Sequence, residues 1–77
     1  MSNEKIIFLL NLIDSNYDRL STSGQSLVDK MFNDLDQGMS LLKFKKNIMD
    51  LCWDYDRMSN SLQQELKIAG EELGFEL

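Results

Sequence analysis

The 77 residues are 43% hydrophobic, with 13 acidic against 8 basic side chains, no histidine, no proline and one cysteine. That length allows one domain with a marginal core, and the apolar content excludes an intrinsically disordered chain. A net charge of −5 speaks against long-range attraction to phosphate backbones or anionic membranes, and a lone cysteine excludes an internal disulfide, so a reducing, cytoplasmic setting is expected.

The first helix is expected over residues 3–19. Ile6, Leu10, Ile13, Tyr17 and Leu20 recur at spacings of 4, 3, 4 and 3, the stripe of an amphipathic helix. Ile7, Phe8, Leu9 and Leu12 extend the apolar surface over most of the circumference. Such a helix is central in a bundle or buried at an oligomer interface. Phe8 and Leu12 therefore face either the second half of the chain or a partner. The opening run MSNEKIIFLLNLIDSNYD is interrupted by Asn3, Glu4, Asn11 and Asp14 and has no basic leader or small-residue cleavage site. It is expected to be neither a signal peptide nor a membrane span.

At the end of this helix the chain reads YDRLSTSGQ (residues 17–25), and in its second half YDRMSNSLQ (residues 55–63). The shift that superposes these strings also places Met1-Ser2 on Met39-Ser40, Lys5 on Lys43 and Leu35 on Leu73. A period of this length points to stacked supersecondary units. The chain is read as two tandem helical hairpins, residues 1–38 and 39–77, with the repeated string at each corner. Tyr17 and Tyr55 fill the corners, their hydroxyls reaching water. Thr22 with Gln25, and Asn60 with Gln63, have capping-box spacing, with Ser21 and Ser59 as rival caps one residue earlier.

The second helix, 22–37, carries Val28, Met31 and Leu35 inward, and Gly38 closes it with a left-handed cap. Ser40 caps the third helix, 40–57, where Phe44, Ile48, Leu51, Tyr55 and Met58 repeat the spacing of the first. Leu42, Met49, Cys52 and Trp53 fall outside that stripe. A single tryptophan is either a core anchor or a binding hot spot. Lys43, Lys45 and Lys46 crowd the positive end of the third helix, and Glu71, Glu72 and Glu76 the negative end of the fourth. An antiparallel hairpin brings the two clusters together for mutual neutralisation. The other use for KFKK is contact with phosphates, the aromatic adding stacking. The fourth helix, 60–73, buries Leu66, Ala69 and Leu73; Gly74 ends it and Phe75 folds back.

The inventory for catalysis is short. Without histidine no Ser-His-Asp or Cys-His arrangement exists, and zinc would find one thiolate and no imidazole. Cys52 reads as an inert packing residue. No GxxxxGK[ST] or GxGxxG string occurs. DLDQGMSLLKFK (residues 34–45) puts its glycine at position five and Lys45 at twelve, which fails the EF-hand pattern. The carboxylate pairs Asp14/Asp18 and Asp50/Asp54 read as solvated faces. No enzyme, cofactor or metal site is expected.

The sequence thus predicts an all-α, bundle-like single domain of four short helices over residues 1–77. Its expected role is that of a non-enzymatic protein–protein interaction module, inhibitor- or antitoxin-like in the manner of phage proteins, occluding a partner's surface. Phe8, Leu12, Met49 and Trp53 are the expected contacts, with the acidic remainder steering the encounter. Two alternatives stand beside it. One is a helix-turn-helix-like nucleic-acid regulator using Lys43, Lys45 and Lys46, disfavoured by Glu65, Glu71 and Glu72 on the helix that would read the bases. The other is a structural homo-oligomer, a homodimer in its simplest form.

Overall fold

Serine begins every helix. In the computed structural model, which describes residues 2–76, helix α1 runs Asn3–Ser15, α2 Thr22–Asp36, α3 Leu41–Leu51 and α4 Asn60–Leu73. The side chains of Ser2, Ser21, Ser40 and Ser59 accept from the backbone N–H three residues on, that of Lys5, Gly24, Lys43 and Leu62 respectively. Each satisfies one of the amides that a helix start leaves unpaired. Gly38 and Gly74 follow α2 and α4 at φ 84 and 83, a left-handed conformation that costs other residues a Cβ clash. Phe75 folds back as expected, its N–H donating to the Gly70 carbonyl at 2.9 Å.

Two details differ from the sequence reading. The first and third helices do not run as α-helix to residues 19 and 57. Helix α1 stops at Ser15, followed by one 3-10 turn, Tyr17–Arg19, and α3 gives way at Cys52 to 3-10 winding as far as Arg57. In α1 the cause is local. Ser15 Oγ and Asn16 Nδ2 both donate to the Leu12 carbonyl, at 2.6 and 3.0 Å, drawing it away from the backbone ladder. Of the rival caps, Ser21 and Ser59 are the ones that start α2 and α4. Gln25 and Gln63 complete no capping box; each donates Nε2 backward, to the carbonyls of Tyr17 (3.0 Å) and Tyr55 (2.8 Å).

What a capping box would have given the cap's own N–H comes instead from across the molecule. Asp54 Oδ2 accepts from both the N–H (3.1 Å) and the hydroxyl (2.7 Å) of Ser21, and Asn16 Oδ1 accepts from the N–H of Ser59 at 2.8 Å. The shift that carries Tyr17 onto Tyr55 also carries Asn16 onto Asp54 and Ser21 onto Ser59. Each corner therefore holds the start of the helix at the other corner. Asn16 and Asp54 are both buried, where such bonds resist water.

One apolar core joins all four helices. Ile6, Leu9, Leu10 and Ile13 of α1 meet Val28 and Met31 of α2, Phe44, Ile48 and Leu51 of α3, and Leu62, Leu66 and Ala69 of α4. Leu20 and Met58 close the two corners. Helix α1 packs on α2 and α4, and α2 also packs on α3. The architecture is the expected all-α bundle, with no strand among the described residues.

Candidate functional site

The core stripe of α3 fixes what is left outside. With Phe44, Asn47, Ile48 and Leu51 turned inward, the opposite side carries Leu42, Lys46, Met49 and, past the end of α3, Trp53. Their offsets of 4, 7 and 11 from Leu42 keep them on one side of a helix turning about 100° per residue. Trp53 is 91% exposed, Leu42 77% and Met49 48%. No other large apolar side chain among the described residues exceeds 49% exposure. Two shallow hollows lie along this side. Leu42, Lys45, Lys46 and Met49 line one. The other, of about 520 Å³, lies beside Trp53 and is walled by Ser21, Ser23, Gly24, Leu27, Asp50 and Asp54.

The four expected contact residues do not come together. Met49 and Trp53 share the outward side of α3. Phe8 is half-exposed on α1, beside a separate hollow with Ser2, Glu4 and Lys5. The Lys5 ammonium lies 5.2 Å from its ring centroid and 3.3 Å from Glu65 on α4, so part of the ring already has company. Leu12 packs against the core. Leu42 was legible as a fifth residue, seven positions before Met49 and eleven before Trp53, but its place outside the core stripe did not by itself say how far it stands in solvent.

The lysines are also placed differently from the expected neutralisation. Lys43 reaches the buried Asp34 of α2 at 3.6 Å, and no described lysine is ion-paired with Glu71, Glu72 or Glu76. Lys45 and Glu72 do line one hollow with Leu41, Leu42 and Leu73, so the ends of α3 and α4 are neighbours. For the phosphate alternative the decisive residue is Phe44. Its ring is fully buried, so KFKK offers no face on which a base could stack.

Two side chains near the corners have raised pKa values. Cys52 is half-buried, and desolvation pushes its thiol up to about 11, away from the thiolate that nucleophilic work needs. The Tyr17 hydroxyl is also raised, by desolvation and by Asp29, to which it donates at 3.2 Å. Among the described residues no group of three His, Cys, Asp or Glu is placed to hold a metal ion, and no helix is long and apolar enough to cross a membrane.

The chain matches no known protein family, no curated protein and no solved structure, so the reading of this face rests on its geometry.

Proposed function

We propose that this chain is a non-enzymatic protein-binding module whose contact face is the outward side of α3 and the 3-10 segment after it. The observation that carries the reading is Trp53, 91% exposed and in line with Leu42 and Met49. Isolated apolar side chains on a surface are ordinary, but an aligned set that includes a tryptophan is what interfaces use. Burying one tryptophan removes roughly 200 Å² from water, and at about 25 cal/mol per Å² that is several kcal/mol left unused by folding. Covering a partner's surface, as an inhibitor or antitoxin does, needs only such a face on a stable scaffold.

The test is affinity capture from the native host with the wild-type chain and Trp53→Ala side by side. Trp53 makes no core contact, so the variant keeps its fold. A genuine contact face loses its specific companion at least about tenfold in the variant. Equal recovery of the same companions on both chains would sink this face, and recovery of nucleic acid alone would sink the class.

A further inference from the structure

The outward side of α3 has an order that fits its own reverse. Along it stand Leu42, Lys46, Met49, Asp50 and Trp53, an apolar group at each end and opposite charges between. Resting on the protein-binding reading above, we propose that the occupant of this face is a second copy of the chain, its α3 antiparallel across a twofold axis at the level of Asn47 and Ile48. Leu42 then lies against the partner's Trp53, Lys46 meets the partner's Asp50, and Met49 sits near the axis beside its own copy.

The symmetry makes a demand that this side chain order meets. When two helices face each other antiparallel, the twofold axis is perpendicular both to the helices and to the line joining them. Each flank of the contact is then mapped onto itself, so charges must balance within one flank. Lys46 and Asp50 are one turn apart on the same flank, so each finds its opposite in the copy. Both are exposed, and neither is in an ion pair among the described residues. Lys45 lies on the other flank, in the hollow it shares with Glu72. Local balance matters because two chains of charge −5 repel unless the surfaces that meet are closer to neutral.

Size sets the expected strength. The apolar stripe from Leu42 to Trp53 is about 16 Å long. A standard interface takes about 800 Å² from each partner, a sizeable part of the 4839 Å² that one chain exposes. A contact of one helix face falls at the small end of that range, and the dimer is expected to be half-dissociated at about 10 µM.

Sedimentation equilibrium of the full chain up to about 500 µM, in moderate salt, tests this. Circular dichroism checks that each variant is folded. The expected result is a monomer–dimer equilibrium that Trp53→Ala and Leu42→Ser each weaken at least about tenfold. Lys46→Glu alone and Asp50→Lys alone also weaken it. The double variant, and an equimolar mixture of the two single variants, recover it. A chain still monomeric at the highest concentration overturns the self-association, while a Trp53-dependent companion in the capture experiment would leave the protein-binding reading intact. A dimer indifferent to Trp53→Ala and Leu42→Ser overturns this face as the seam between copies, and the capture experiment alone then decides the protein-binding reading. A dimer lost with Trp53→Ala but unmoved by the charge reversals overturns the antiparallel arrangement.

Discussion

Cys52 belongs to the 3-10 segment after α3, one residue from the exposed Trp53, yet it is half-buried against the core. Desolvation raises its thiol from 9.0 to about 11. The folded chain therefore holds the proton more tightly than the unfolded one. The corresponding stabilisation is complete below about pH 9 and is lost as the pH rises toward 11. At pH 8, iodoacetamide should alkylate the native chain roughly a hundredfold more slowly than the urea-unfolded chain, in proportion to the thiolate fraction. Equal rates would show that the thiol is not protected. Asn47 is a second residue whose setting differs from its type. It is buried on the core side of α3 with Nδ2 unpartnered, whereas its counterpart in the first half, Leu9, is a fully buried apolar residue.

At the scale of elements, the corners carry the distinctive bonding. The capping serines, the glutamine-to-tyrosine-carbonyl bonds and the cross-corner acceptors Asn16 and Asp54 recur at matching positions of the two corners. The corners are not identical, and one difference is steric. A Cβ on Gly24 would collide with the Asp54 carboxylate, whereas the matching position is the buried Leu62. Gly24 thus makes room for the carboxylate that holds Ser21. Asp54→Ala should cost about 1–3 kcal/mol in urea unfolding, because the part-buried N–H and hydroxyl of Ser21 lose their acceptor. Asp54→Asn should cost less, since an amide oxygen serves at Asn16. Gly24→Ala should destabilise through the same carboxylate, and its effect should shrink in an Asp54→Ala background. Additive losses would separate the two residues. The string YDRLSTSGQ showed that the corners are alike. Its capping pattern left Thr22 and Ser21 as rivals, because the acceptor for the Ser21 N–H, Asp54, belongs to the other half of the chain.

For the whole molecule, the decisive feature is that neither half contains its own core. Phe44, Ile48 and Leu66 pack with Ile6, Leu9 and Leu10 in one cluster, and Lys5 of α1 pairs with Glu65 of α4. The radius of gyration, 11.1 Å, is close to the roughly 11.5 Å expected of a folded chain this long. A single unfolding transition by circular dichroism is expected, and a peptide of residues 1–38 alone should stay unfolded. A helical, cooperatively melting half would show that the hairpins are separate units. Trp53 fluorescence is a poor monitor of this transition, since the indole is already in water when the chain is folded.

The amino-acid order by itself determined the helical class, the four elements, the inward stripes and the glycine stops, because each depends on spacings of three and four or on a backbone conformation that one residue type favours. It also isolated Met49 and Trp53 as residues the inward stripe does not use. Only the tertiary structure decided that Leu42 joins them in solvent while Phe8 lies elsewhere and Leu12 packs inward, that Lys43 goes to Asp34, and that Asp54 and Asn16 hold the opposite corners. Those outcomes depend on which helices become neighbours, and periodicity along one helix carries no information about the helix beside it.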